Sequence, residues 1–167
     1  MRMMTVLAVS GMLLGACGDK DDTGAGSDSG SDASGEDAQI AADLWTAMSG
    51  YESWNQLDNW TGIVASADGT HGAYVQIWAN DIAHKAILAG TAVPDGGILV
   101  KEGYDDAGGK SSKGLTAMQK IDGYDAANGD WFWAKYDASG SASVAGASSG
   151  CYGCHSAYDD YTAYDEL

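Results

Sequence analysis

A strand–turn–strand pattern occupies residues 115–136, whose sequence is LTAMQKIDGYDAANGDWFWAKY. Leu115–Ile121 interleaves apolar and polar side chains, and Trp131–Tyr136 is rich in aromatic residues. Both features are typical of β-strands, and the Asn128-Gly129 pair between them is a turn signal. The pattern therefore predicts two antiparallel strands of one sheet.

Further elements are predicted on both sides of this pair. An apolar stripe with helical spacing runs from Ile40 to Met48, and a second, short helix begins after Asn80 and ends at Gly90. The other predicted segments are strands at Thr61–Ser66, Ala73–Ala79 and Ile98–Glu102, a flexible stretch at Ser139–Gly150 and a helix at Cys151–Tyr164. The predicted fold class is α+β, a mainly antiparallel sheet of about five strands with an N-terminal helix, a short inserted helix and a C-terminal helix.

The segment Cys151-Tyr152-Gly153-Cys154-His155 has the Cys-x-x-Cys-His spacing of a c-type haem attachment site. In such a site both thiols bond to the haem and the histidine ligates the iron. A structural zinc would need a fourth ligand from His71, His84 or a carboxylate, and a redox dithiol normally opens a helix near the start of a domain. The motif predicts one covalent haem c, bound through Cys151 and Cys154, with His155 as the axial ligand of the iron.

The N-terminus has the pattern of a bacterial lipoprotein signal. Arg2 precedes the short apolar run Thr5–Leu14, and Leu14-Gly15-Ala16-Cys17 then resembles a cleavage site whose cysteine takes the lipid. The run is too short to span a bilayer, and an ordinary signal peptide with a chance cysteine is the alternative. The predicted organisation is a signal peptide at residues 1–16, a lipidated Cys17 with a flexible acidic tether at residues 17–37, and one domain at residues 38–167.

The chain carries a formal net charge of −16. Such a surface repels nucleic acid and anionic lipid head groups, so we expect no nucleic-acid partner and membrane contact only through the lipid on Cys17. Export agrees with the motif, because c-type haem is normally attached outside the cytoplasm. The predicted location is the bacterial cell envelope, anchored by lipid to the outer membrane and facing the periplasm or the cell surface.

Three segments together resemble the cytochrome P-460 family. They are Val93-Pro94-Asp95-Gly96-Gly97-Ile98-Leu99-Val100-Lys101-Glu102, Gly129-Asp130-Trp131-Phe132-Trp133, and Cys154-His155 followed by Asp159-Asp160-Tyr161. The resemblance covers nearly all of residues 38–167. It implies a largely antiparallel sheet and a high-spin, five-coordinate haem, and members are often homodimers.

The resemblance also implies a role for Lys101. Members that oxidise hydroxylamine carry an additional covalent bond from a lysine to the haem, and Lys101 matches that lysine. Relatives of the cytochrome c′-beta type share the fold, lack the crosslink and bind nitric oxide. Strand periodicity alone favours a solvent-facing Lys101, and a crosslinking Lys101 would have to share a face with Leu99.

One departure from the family concerns the segment before the haem motif. Some hydroxylamine-oxidising members place a carboxylate over the haem from this segment, whereas residues 138–150 contain neither an acid nor a base. A proton acceptor for hydroxylamine oxidation would therefore have to come from elsewhere in the chain.

The expected function is that of an exported cytochrome with an open iron site, which oxidises hydroxylamine or binds nitric oxide. Electrons would pass to a soluble redox partner, and an enzymatic role as a hydroxylamine-oxidising oxidoreductase depends on Lys101. The alternatives are an electron-transfer cytochrome without a substrate and a non-catalytic haem-based gas sensor or scavenger. Electron transfer usually needs a second strong axial ligand, and Met118 is predicted to be a core residue instead.

Overall fold

The computed structural model describes residues 34–67 and 69–163. In this part of the chain, six strands form one antiparallel sheet in which each strand pairs with the next in sequence. The strands are β1 (Val64–Ala65), β2 (Tyr74–Ala79), β3 (Ile98–Tyr104), β4 (Ser112–Lys120), β5 (Trp131–Tyr136) and β6 (Ala142–Gly146). The α-helices of the same residues are α1 (Gly35–Ala47), α2 (Asp81–Leu88) and α3 (Ser149–His155). The α+β class and the antiparallel sheet are confirmed.

The sheet has six strands rather than about five, because part of the stretch predicted to be flexible forms β6. Residues 139–150 are mostly glycine, serine and alanine, which have little preference for a strand. Pairing with β5 nevertheless orders this segment and sets Ala145 opposite Ala134 and Val144 opposite Lys135. The ladder outweighs local propensity, and α3 follows directly from the edge of the sheet.

One face of the sheet, which we call the α1 face, is covered by α1. Ala41, Leu44 and Met48 are buried, and their spacing is that of a helix that packs one stripe against a core. They lie in one cluster with Phe132 and Tyr136. The Tyr136 hydroxyl also donates a hydrogen bond to the Ala41 carbonyl over 2.8 Å, so α1 is fixed to β5 by packing and by a buried polar contact.

The opposite face, which we call the α2 face, carries α2 and the C-terminal part of the chain. Leu99, Met118 and Trp133 are register neighbours across β3, β4 and β5 and belong to its core. The members from α2 and from the chain after β6 are Ala83, Ala86, Ile87, Cys151, Tyr152 and Tyr161. The Cys-x-x-Cys-His motif therefore lies on the face that is opposite α1.

The first helix begins at Gly35, before the predicted domain start at Ala38. Ser34 is its N-cap, because the Ser34 hydroxyl oxygen accepts a hydrogen bond from the backbone N–H of Asp37 over 3.1 Å. The last residues of the predicted tether are thus the first turn of α1.

The C-terminal helix is shorter than predicted, since it ends at His155. Asp160 and Tyr161 have φ values of 47° and 63°, which belong to the left-handed region and cannot continue a right-handed helix. A 3₁₀ turn at Asp159–Tyr161 replaces the rest of the predicted helix. We call it the Asp159–Tyr161 turn.

The predicted signal peptide, the lipidated Cys17 and most of the predicted tether lie outside the described residues. Within the residues that the structure does describe, no helix combines the length and the apolar character that crossing a bilayer requires.

Candidate haem-binding site

Helix α3 presents the two motif cysteines on one side, because residues three apart are neighbours on a helix surface. Cys151 is half-buried and packs against the core of the α2 face, whereas Cys154 is exposed. Both thiols are free of disulfide bonds. The helix therefore offers two thiols, one at the edge of the apolar face and one toward solvent.

The environment of Cys151 does not suit a redox dithiol. Burial raises the pKa of the Cys151 thiol, and the neighbouring Cys154 raises it further, while a hydrogen bond from Ser148 opposes them. The reactive cysteine of a thioredoxin-type pair has a lowered pKa, because only the thiolate attacks. Cys151 therefore lacks the lowered pKa that is typical of a redox cysteine.

His155 is the last residue of α3, and one of its ring nitrogens has a defined partner. Its Nδ1 lies 2.8 Å from the backbone carbonyl oxygen of Tyr161. A carbonyl can only accept a hydrogen bond, so Nδ1 carries the proton and Nε2 keeps its lone pair in the neutral ring. This is the arrangement of a metal-ligating histidine, whose second nitrogen is held by a backbone acceptor.

Aromatic rings from other elements surround the His155 imidazole. The centroid of the Trp133 ring lies 4.8 Å from that of His155, at an interplanar angle of 65°. The His71 ring lies 6.3 Å away at 84°. Its Nδ1 is 3.5 Å from the hydroxyl oxygen of Thr116 on β4, so residues distant in sequence meet at the motif histidine.

Lys101 lies on β3, opposite Ile77 of β2 and Thr116 of β4. Side chains directly opposite each other share a face, and Ile77 belongs to the core of the α2 face. Leu99 shares that face, whereas Val100 is buried on the α1 face. The half-buried Lys101 is therefore on the face that carries the motif.

Glu102 points to the other side of β3. Its carboxylate accepts hydrogen bonds from the Tyr51 hydroxyl over 3.1 Å and from the Ser112 hydroxyl over 3.2 Å. Burial raises the pKa of Tyr51 above its usual range, with a further contribution from Glu102. The side chains of Lys101 and Glu102 thus lie on opposite faces of the sheet.

The residues of this site fit a haem. A porphyrin needs apolar surroundings, and the buried side chains of Leu99, Met118 and Trp133 form an apolar core on the same face as the motif. The indole N–H of Trp133 is buried without a hydrogen-bond partner, and such a donor costs about 1–3 kcal/mol unless an acceptor is supplied. A bound group that carries acceptors would satisfy it.

No cluster of three or more His, Cys, Asp or Glu in the described part of the chain could hold a metal ion, so these residues do not support a zinc site.

The sequence predicted Cys151, Cys154, His155 and Lys101, but it did not assign Trp133, His71 or the Tyr161 carbonyl to the site. Trp133 and His71 approach His155 only because the sheet brings them there. The Tyr161 carbonyl is a backbone group and leaves no mark in side-chain spacing. The Tyr161 carbonyl reaches His155 because the chain turns after α3 with positive φ values. Glycine is the usual sequence sign of such a turn, and Asp159-Asp160-Tyr161 contains none.

Comparison with known proteins bears on the whole sheet and on the motif. A search of curated proteins finds no match. A family model described as Cytochrome P460 matches residues 48–163, a region that contains all six strands, Lys101 and the complete Cys-x-x-Cys-His motif. Because this match extends over more than half of the chain, the protein belongs to the cytochrome P460 family of haem proteins.

Proposed function

We propose that the protein is an exported monohaem c-type cytochrome whose open iron site acts on small nitrogen species, by oxidising hydroxylamine or by binding nitric oxide. The observation that carries this proposal is the His155 geometry. An imidazole that follows two thiols and has its Nδ1 fixed 2.8 Å from the Tyr161 carbonyl oxygen is prepared to offer Nε2 to an iron. Family membership supports the same cofactor and the same class of substrate.

The chain's own residues have distinct tasks in this proposal. Cys151 and Cys154 would hold the haem covalently, and His155 would ligate its iron. A haem bound in this way supplies an iron that binds small ligands and exchanges electrons one at a time. Trp133 offers its buried N–H to an acceptor at the site, and the apolar α2 face excludes water from one side.

The position of Met118, the candidate second ligand among the described residues, favours an open iron over an electron carrier. Met118 is buried in the α2-face core between Leu99 and Trp133, which is the environment of a packing residue. A low-spin carrier usually has two strong axial ligands. We therefore assign Met118 to the core rather than to the iron.

The choice between the two nitrogen chemistries depends on Lys101 and on a proton acceptor. Hydroxylamine oxidation removes protons and electrons from the substrate, so it needs a base within hydrogen-bond reach. Residues 138–150, which include β6, contain no ionisable side chain. Nitric oxide binding needs no base, and a Lys101 without a crosslink would favour that function.

The proposal is tested by optical spectroscopy of the purified ferrous protein. A high-spin spectrum that changes on addition of carbon monoxide or nitric oxide is the expected result. Turnover of hydroxylamine with a soluble electron acceptor then separates oxidation from binding. A six-coordinate, low-spin spectrum that does not change when either gas is added would contradict the open site and support an electron carrier.

We propose further that Cys17 is lipidated, that the lipid holds the protein on the outer membrane, and that electrons pass to a soluble partner. The lipoprotein pattern in residues 1–17 supports the anchor. Mass spectrometry of the membrane fraction should find a diacylglycerol-modified Cys17 at the mature N-terminus. If the wild type is released from membranes as freely as a Cys17→Ser variant, the anchor is contradicted.

The mass of the purified protein in solution would show whether it forms a homodimer.

A further inference from the structure

Three segments that are far apart in sequence meet at Asp160. The Asp160 carboxylate accepts a hydrogen bond from the backbone N–H of Val93 over 2.6 Å and lies 2.5 Å from the Lys120 ammonium group. The Asp160 backbone carbonyl accepts a hydrogen bond from the Trp131 indole N–H over 3.0 Å. These contacts join the loop after α2, the end of β4 and the start of β5 to the Asp159–Tyr161 turn.

Lys120 is buried, which is unusual for a lysine. Its side chain is 10% exposed and that of Asp160 is 18% exposed. The ammonium group also donates to the Gly129 carbonyl over 2.7 Å and lies 4.3 Å from the centroid of the Trp131 ring. A buried charge is tolerated when it is paired and hydrogen-bonded, and the contacts of Lys120 meet both conditions.

A second ion pair, between Lys113 and Asp105, is exposed where the pair of Lys120 and Asp160 is buried. Lys113 and Asp105 approach within 3.3 Å, but their side chains are 53% and 52% exposed. Exposed pairs of this kind contribute little, because water and salt screen them. The two pairs are chemically identical and differ in burial, so the exposed pair is a matched control for the buried one.

The turn that Asp160 belongs to has an unfavourable backbone. Asp160, Tyr161 and Ala163 all have positive φ values, of 47°, 63° and 52°. Non-glycine residues keep such conformations only where the surroundings impose them. The contacts of Asp160 impose them here, and the Tyr161 ring packs beside Gly129, where a Cβ would come within 2.9 Å of a ring carbon.

The carbonyl that this turn holds in place is the one that His155 uses. The residue after Asp160 is Tyr161, and its carbonyl oxygen accepts the hydrogen bond from His155 Nδ1 over 2.8 Å. A change in the backbone at Asp160 would therefore move or free the acceptor that fixes the orientation of the imidazole.

We propose that Lys120 and Asp160 are positioning residues for His155, which hold the Tyr161 carbonyl against Nδ1 and thereby set the orientation and basicity of the axial ligand. This role rests on the proposed function in so far as His155 ligates a haem iron. A backbone acceptor at Nδ1 increases electron donation from an imidazole to its metal, and partners of this kind are part of a metal site even though they never touch the metal.

The test compares Lys120→Met and Asp160→Asn with the exposed control variants Lys113→Met and Asp105→Asn in the ferrous holoprotein. We expect a shift of the iron–histidine stretching band to lower frequency in the resonance Raman spectrum and a more positive midpoint potential. Hydrogen exchange measured by mass spectrometry should also become faster in residues 156–163. The control variants should match the wild type in all three measurements.

Milder variants serve if the first two do not fold. Lys120→Arg keeps the charge, so the frequency of its iron–histidine band should stay close to that of the wild type. Trp131→Phe removes the N–H that reaches the Asp160 carbonyl and part of the ring beside Lys120, and it should shift the band in the same direction by less. Faster exchange with an unchanged band and potential would reduce Lys120 and Asp160 to a structural role and overturn the proposal. A wild-type protein without covalent haem would instead overturn the proposed function.

Discussion

Lys101 lies in a row across the sheet between Ile77 and Thr116, on the face that also carries Leu99 and the motif helix. That placement meets the geometric requirement for a bond between the lysine and the haem, which the opposite register would have prevented. Whether the bond forms is a chemical question that a single substitution answers.

In a Lys101→Ala variant we expect the ferrous Soret band to move toward that of an ordinary c-type haem, because an amine attached to the macrocycle changes its electronic structure. The mass of the isolated haem peptide should be lower in the variant, because the haem would then be attached only through the two thioether bonds and no longer to the peptide that contains residue 101. Lys113→Ala, an exposed lysine of β4, is the control and should leave the spectrum unchanged. Identical spectra for Lys101→Ala and the wild type would identify Lys101 as an uncrosslinked lysine and favour nitric oxide binding.

The two motif cysteines should retain the haem after denaturation. Acid–acetone extraction of the wild type is expected to leave the haem with the protein, whereas the double variant Cys151→Ala/Cys154→Ala should release all of it. Cys17→Ser removes the remaining cysteine of the chain and should keep the haem bound. Release of the haem from wild-type protein would contradict covalent attachment.

At this scale, what the sequence reveals depends on the type of group. Cys151, Cys154 and His155 are recognisable because thioether formation and iron ligation require those side chains at that spacing. The Tyr161 carbonyl is not recognisable, since every residue carries one. Lys101 falls between these cases, because alternation shows which neighbours share its face but not which face the motif helix covers.

At the scale of elements, turns with positive φ values connect the sheet to the site. Gly129 has a φ of +73° and comes before β5, and its carbonyl accepts the hydrogen bond from Lys120. Gly123 has nearly the same φ, of +75°, but nothing lies within 4 Å of the place where its Cβ would be. A comparison of substitutions at Gly123 and Gly129 therefore distinguishes the cost of a positive φ from the cost of a clash with the Asp159–Tyr161 turn.

Gly123→Ala should lower the free energy of unfolding by about 1 kcal/mol, the cost of a left-handed conformation for a residue with a Cβ. Gly129→Ala should cost an additional ~1–3 kcal/mol, because its Cβ would collide with the Tyr161 ring. Urea unfolding followed by circular dichroism measures both values. Equal losses in the two variants would mean that the Tyr161 ring moves aside without cost.

The elements that follow local rules were predictable, and those that depend on pairing were not. Asn80 caps α2 as expected, since its side-chain oxygen accepts from the backbone N–H of Ala83 over 2.9 Å. The opposite faces of Trp133 and Phe132 follow from strand alternation. β6 was missed because its order comes from the ladder with β5, and the early end of α3 was missed because distant contacts impose the Asp159–Tyr161 turn.

At the scale of the whole molecule, buried and half-buried phenols link stability to pH. Burial raises the pKa of four tyrosines above the usual range, namely Tyr51, Tyr104, Tyr124 and Tyr136. In the unfolded chain a tyrosine ionises near pH 10, at roughly its reference pKa. The unfolded state therefore loses these protons first, and the stabilisation is complete below that pH and decreases as the pH rises toward the folded pKa values.

We expect the urea midpoint of unfolding to be nearly constant from about pH 8 to pH 9 and to fall steeply above about pH 10. In Tyr136→Phe the fall should be shallower, because one of the four groups no longer titrates, although the midpoint at pH 8 should also drop through loss of the hydrogen bond to Ala41. A midpoint that does not change up to pH 11 would contradict this account.

The position of α1 has a consequence for the order in which the chain folds. All six strands pair with their sequence neighbours, so the sheet can grow from one hairpin to the next with short loop closures. Helix α1 is different, because its contacts reach the far end of the chain. The Tyr124 hydroxyl donates to Asp37 over 2.6 Å across 87 residues, and the contact between Tyr136 and Ala41 spans 95.

A chain that emerges from a ribosome or a translocation pore with its N-terminus first would therefore produce α1 long before the surface that receives it. Until β5 has emerged, the buried stripe of Ala41, Leu44 and Met48 lacks the part of its cluster that Phe132 and Tyr136 supply. The first helix of the described residues to be synthesised thus completes its docking late, and a chaperone that binds apolar helices could hold it in the interval.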